Sequence, residues 1–152
     1  MKNAEIKKIL YIEDNVADIR LFEEAISHQQ LAIDLDYVTD GQEMLDFFEE
    51  KKKGHYKDLP ELIVTDLNLP KVTGQDVIKV IKQDPVFRKI PIVVFTTSNL
   101  LNDIDKCYEY GANAYMYKPL DIDHVFEVVE LIDKYWLRTC LLVNNPMLTS
   151  QL

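Results

Sequence analysis

The chain lacks most features that would tie it to a membrane, an oxidising compartment or a nucleic acid. No apolar run approaches the roughly 20 residues that a bilayer-spanning helix needs. Met1 to Lys8 is polar and carries no apolar leader core. Cysteine is scarce, and Cys107 and Cys140 stand at no metal or redox spacing. Basic charge is short too: 17 Lys and Arg against 26 Asp and Glu leave a formal net charge of -9. That balance speaks against a nucleic-acid binder and against a surface for anionic lipid. Internal repeats and low-complexity tracts are missing, and no glycine-rich phosphate loop follows the first apolar run. The expectation is a reduced, cytoplasmic protein with neither membrane nor nucleic acid as partner.

What is present fits one core. In 152 residues, 47% hydrophobic and 28% charged, short apolar runs alternate with amphipathic stretches. Ile9 to Ile12, Ile33 to Val38, Leu62 to Leu67, Pro91 to Phe95 and Ala114 to Tyr117 read as strands. Between them lie helical patterns. Ile19, Phe22, Ala25 and Ile26 share one face, and Asp40 with Glu43 makes a capping-box start. Lys51 to His55 reads as a basic, solvated loop. Gly74 opens a third helix that ends before Pro85, Ser98 is placed to cap a fourth, and Gly111 suits its end. Asp121 opens the last, with Ile122, Val125, Phe126, Val129, Ile132 and Trp136 inward. Strands alternating with helices predict an α/β fold, a doubly wound five-stranded parallel sheet with helices on both faces. Residues 1–138 form the expected domain, and 139–152 a tail too short for a second one.

In such a sheet, ligands bind at the carboxyl ends of the strands. The first strand delivers Glu13 and Asp14 there, the third Asp66, the fourth Thr96 and the fifth Lys118. Unit charges ~4 Å apart repel by about 4 kcal/mol at an effective dielectric near 20. Three crowded carboxylates therefore call for protonation or a cation, and hard oxygen donors suit Mg²⁺, with Mn²⁺ as a substitute. A carboxylate is a competent phosphoryl acceptor. Lys118 and the Thr96 hydroxyl are fit to hold phosphoryl oxygens.

Ile-Glu-Asp-Asn, Thr-Asp-Leu-Asn-Leu-Pro, Phe-Thr-Thr-Ser and Tyr-Met-Tyr-Lys-Pro follow one another, each at the end of an expected strand. Together they resemble the receiver domains of two-component response regulators, from about Ile9 to about Leu137. The resemblance implies a flavodoxin-like strand order 2-1-3-4-5 with five helices. It makes Asp66 the phosphoacceptor, and Glu13, Asp14, Asp66 and the main-chain carbonyl of Asn68 the metal ligands. It makes Thr96 and Lys118 the other catalytic residues and Thr96 and Tyr115 the switch pair. It also implies a cis Lys118–Pro119 bond that would aim Lys118 into the pocket. Such a protein is a signalling switch and not an enzyme. Asn-Val-Ala-Asp after the acidic pair, Asp-Leu-Asn-Leu-Pro, the Phe-Thr-Thr-Ser run and Tyr-Trp-Leu near the end resemble stand-alone regulators of phytochrome-type histidine kinases. The implied partners are a sensor histidine kinase and, as a further recipient, a histidine phosphotransfer protein.

Two other functions compete. A haloacid-dehalogenase-type enzyme also forms an aspartyl phosphate, but its second aspartate is here Asn68, which cannot act as general acid. A flavodoxin-like cofactor binder would need donors where this chain places acids. The last helix carries apolar residues over a wider arc than one packed face needs, and Leu141, Leu142 and Val143 follow. That surplus implies either a tail folded over its own domain or a homodimer through the fourth helix, fifth strand and fifth helix.

Overall fold

The computed structural model describes residues 4–144. The strands are β1 (Lys7–Ile12), β2 (Ile33–Val38), β3 (Leu62–Thr65), β4 (Ile92–Thr96) and β5 (Ala114–Tyr117), all parallel, in the order 2-1-3-4-5. The helices are α1 (Val16–His28), α2 (Gly41–Lys53), α3 (Gly74–Gln83), α4 (Leu101–Glu109) and α5 (Ile122–Ile132). A 3₁₀ turn at Phe87–Lys89 precedes β4, and a π-helical stretch, Asp133–Thr139, continues α5.

The pleat of the central strands divides the core in two. Leu10, Ile12, Ile63, Ile92 and Val94 point to one face, where α2, α3 and α4 supply Met44, Phe48, Ile78, Ile81 and Cys107. Ile9, Tyr11, Leu62, Val64, Val93 and Phe95 point to the other, against Ile19, Phe22 and Ala25 of α1 and Val125, Val129 and Ile132 of α5. Because both faces of β1, β3 and β4 are covered, their runs are apolar without alternation. Each fully buried Ile or Leu there stabilises the fold by about 1.5–3 kcal/mol.

Side chains near the carboxyl ends of strands start the helices. The Asn15 side chain accepts from Ala17 N at 2.9 Å and Asp18 N at 3.3 Å, and Asp40 from Glu43 N at 2.8 Å. Thr73 and Asp121 do the same for α3 and α5. Glu43 completes the α2 box one residue further back than expected, accepting from Thr39 N at 2.8 Å. Gly111, at φ 109°, leaves α4 in the left-handed region.

Several local expectations are corrected. Lys51 to Lys53 belong to the last turn of α2, where cations suit the helix dipole, and the loop begins at Gly54. Ser98 does not cap α4, which starts three residues later; its hydroxyl instead bonds Asp103 Oδ2 at 2.6 Å. Ile122 faces solvent, 58% exposed, because α5 turns inward only from Val125. After Ile132 the i→i+5 bonding of the π-helical stretch carries Leu137, not Trp136, to the fully buried position. Trp136 packs at the margin of that core. Among the described residues no peptide bond is cis, so Lys118–Pro119 is trans. Beyond the π-helical stretch, Leu142 packs on the α1–α5 core and Asn144 Nδ2 donates to Pro60 O at 3.3 Å. Leu141 and Val143 stay exposed. Residues 145–152 of the expected tail lie outside the described residues.

Candidate phosphoryl and metal site

The parallel register brings the strand ends together. Ile12 pairs with Thr65 and Thr96 with Tyr117, so Glu13, Asp66 and Lys118 each stand one residue past their strands. Main-chain bonds fix them there: Asp66 N donates to Ile12 O at 3.0 Å, Glu13 N to Val38 O at 3.0 Å and Lys118 N to Thr96 O at 2.7 Å. Glu13, Asp66, Thr96 and Lys118 are all buried, whereas Asp14 is exposed.

Glu13, Asp14 and Asp66 each offer a carboxylate oxygen, and the three oxygens lie within 4.8 Å of one another. The Lys118 ammonium lies against the same carboxylates. It is in short contact with Glu13 Oε1, lies 2.9 Å from Asp18 Oδ2, and lies 3.4 Å from Asp66 Oδ2. Burial works against the Lys118 charge, but Glu13, Asp66 and Asp18 outweigh it and hold its pKa above the ordinary value. Burial also pushes the Glu13 carboxyl up to about 7, with Lys118 pulling the other way. Three carboxylates thus hold one ammonium with a fourth, Asp14, beside two of them, and a divalent cation would supply the missing charge. The all-oxygen donor set, with Asp14 open to water, fits a hard cation that keeps part of its hydration.

The loop after β3 is held close. Leu67 N donates to Asp66 Oδ1 at 2.7 Å, which leaves Oδ2 toward Lys118. Gly74 N donates to Leu67 O at 2.9 Å, and a Cβ at Gly74 would stand 2.3 Å from Asp66 O. Only glycine fits so near that backbone. Asn68 is exposed on this loop, two residues past Asp66.

Thr96 and Tyr115 meet through Ser98. Ser98 N donates to Thr96 Oγ1 at 3.4 Å, and the Tyr115 hydroxyl donates to Ser98 O at 2.8 Å. Tyr115 is half-buried between β5 and the loop that leads into α4. Ser98 Oγ and Gln75 Nε2 both reach Asp103, which links this loop to α3 and α4.

Asp18 is the site residue that sequence reasoning passed over. It reads as an ordinary first-turn acid on α1, and only the fold shows that this turn faces Lys118, 100 residues away. Its place four residues after the acidic pair was the available signal. The three histidines lie elsewhere: His28 packs at a tilt against Phe126, His55 follows α2 and His124 pairs with Asp121.

The sequence and the fold both have relatives among known proteins. The model of the response regulator receiver domain matches residues 9–130. Response regulator Rcp1 of Synechocystis sp. is 36% identical over 133 residues, covering 88% of this chain and 90% of that protein. The probable methanogenesis regulatory protein FilR2 of Methanothrix harundinacea is 36% identical over 129 residues, covering 85% and 83%. Among solved structures, the phosphorylated cyanobacterial phytochrome response regulator RcpA superposes with a TM-score of 0.82 at 37% identity, covering 90% of this chain and 98% of that one. The Mn²⁺-bound form of Rcp1 gives 0.79 at 36% identity, again over 90% and 98%.

Proposed function

Because the chain belongs to the response regulator receiver family, we propose that it is a signalling switch whose Asp66 accepts a phosphoryl group from the phosphohistidine of a sensor histidine kinase. The carrying observation is the meeting of Glu13, Asp14 and Asp66 within 4.8 Å beside the Lys118 ammonium. An Asp66 carboxylate oxygen bonds to phosphorus as the phosphorus–nitrogen bond to the donor breaks. The imidazole leaves with that electron pair and takes a proton from solvent. Lys118 and the Thr96 hydroxyl hold phosphoryl oxygens. Glu13, Asp14, Asp66 and the Asn68 carbonyl would hold Mg²⁺, or Mn²⁺ in its place. The cation supplies charge neutralisation during transfer.

The signal then leaves through the loop after β4. As Thr96 turns to a phosphoryl oxygen it draws on Ser98, whose carbonyl already holds Tyr115. This biases states that the protein already samples. The site has no second aspartate at Asn68, which favours a switch over a phosphate-ester hydrolase. The nearness to a phytochrome response regulator supports a phytochrome-type kinase as donor, and the cytoplasm is the setting we propose. A histidine phosphotransfer protein is a further recipient. We place the receiver domain within 1–138 and treat 139–152 as its tail. Leu101, Tyr108, Tyr117, Leu120, Leu131 and Tyr135 are exposed on α4, α5 and the segments flanking it, and they support a homodimer through that face.

The test is incubation with acetyl phosphate and Mg²⁺, followed by intact mass and peptide mapping. The expected result is one added phosphoryl group, on Asp66. Asp66→Asn should remove it while the protein stays folded. Labelling at full rate in folded Asp66→Asn would refute the assignment.

A further inference from the structure

Three carboxylates hold the Lys118 ammonium, and two of them belong to the proposed cation site. Glu13 and Asp66 are in that cluster, and Asp18 is not. An ammonium has three N–H donors, and each finds one carboxylate here. A cation among Glu13, Asp14 and Asp66 draws on two of those acceptors and repels the ammonium as well. Asp18 is the acceptor it leaves alone. Asp18 and Lys118 together line a cavity of about 250 Å³ between α1 and the loop after β5, walled by Tyr11, Phe22, Phe95 and Leu120. Thr97 and Asp121 also line it, and the Asp18 side chain is 35% exposed, so the pair is only partly shielded from water. Glu13 does not depend on Lys118 alone. The Tyr11 hydroxyl donates to its Oε1 at 3.2 Å and Asn15 N to its Oε2 at 3.3 Å.

We infer that Asp18 is a positioning residue for Lys118, keeping the ammonium on the α1 side of the pocket so that Glu13 and Asp66 can turn to a cation. The inference deepens the phosphoacceptor reading and rests on it for its purpose. Without Asp18, Lys118 has only the cation's own ligands to lean on, and it competes with the cation for them.

The experiment is a double-mutant cycle read by calorimetric Mg²⁺ titration with no phosphoryl donor present. Asp18→Asn should weaken Mg²⁺ binding roughly three- to tenfold, in line with a partly exposed charge-assisted hydrogen bond. In a Lys118→Met background the same substitution should change it less than about twofold. Asp18→Glu, which restores a carboxylate, should recover most of the loss. An equal loss in both backgrounds would show that Asp18 acts by its charge alone and overturn the inference, as would no loss in either. If Lys118→Met is too unstable to titrate, the Lys118 ammonium resonance with saturating Mg²⁺ decides the matter. It should persist in wild type and exchange away in Asp18→Asn, and persistence in both would overturn the inference. Acetyl-phosphate labelling of the wild type tests the parent reading separately.

Discussion

At the residue scale, two close approaches stand out, one at the site and one at the start of α5. The first is Gly74 against the Asp66 backbone. Gly74→Ala puts a methyl where Asp66 O and the Leu67 Cα stand, 2.3 and 2.6 Å away, and backbone cannot swing aside as a side chain can. We expect a loss of about 1–3 kcal/mol in urea unfolding and slower labelling of Asp66, since the carboxylate moves with its loop. An unchanged midpoint would refute the contact. The second is Asp121, which caps α5 and pairs with His124. The Asp121 side chain raises the His124 pKa, and the His124 N–H and ring lower that of Asp121. A raised imidazole contributes stability that is complete below its unfolded value and lost as pH rises through the folded one. A lowered carboxyl contributes stability that is complete above its unfolded value and lost as pH falls through the folded one. The pair is therefore at full strength between about pH 4 and about pH 6.5. Asp121→Ser keeps a cap and removes the charge. An NMR titration should show the His124 pKa falling back toward the ordinary imidazole value. No movement would mean the pair does not form in solution.

At the scale of elements, the sheet was legible because central strands covered on both faces read as apolar runs and the edge strand β2 as an alternation, and β2 through β5 lie within two residues of where those patterns fall. β1 begins two residues earlier, at Lys7, because a buried ion pair with Glu61 admits a lysine that patterning alone excludes. The site residues were legible for the same reason, since strand ends must converge in a parallel sheet. Asp18 was not, because it comes from a helix turn whose facing depends on how α1 packs against α5. In the continuation of α5, Trp136 packs at the margin of the core and Leu137 takes the buried position. A period of 3.6 carries Ile132 to Trp136, but the π-helical stretch carries it to Leu137, which is 4% exposed. Leu137→Ala should therefore cost about 2–5 kcal/mol, whereas Leu141→Ala, at an 82% exposed position, should stay within about 0.5 kcal/mol. Equal midpoints in urea would show that the π-helical register is wrong.

At the scale of the whole molecule, β5 leads Lys118 into the acidic pocket and ties Tyr115 to the loop before α4, on the second face proposed for the dimer. Leu101 and Leu120 are the most exposed of the apolar residues on that second face, at 80% and 91%. Sedimentation velocity at micromolar concentration should show a dimer, and Leu101→Glu with Leu120→Glu a monomer of unchanged melting temperature. A wild-type monomer both with and without beryllofluoride would remove the dimer. The far end of the molecule is closed by Arg138, whose guanidinium donates to Glu5 O at 2.6 Å and Ala32 O at 2.8 Å while its Nε bonds Asp133 at 3.0 Å. Those carbonyls precede Arg138 by 133 and 106 residues. During synthesis the first two strands leave the ribosome long before the side chain that covers their entry. A nascent chain therefore carries an open sheet end until Arg138 emerges.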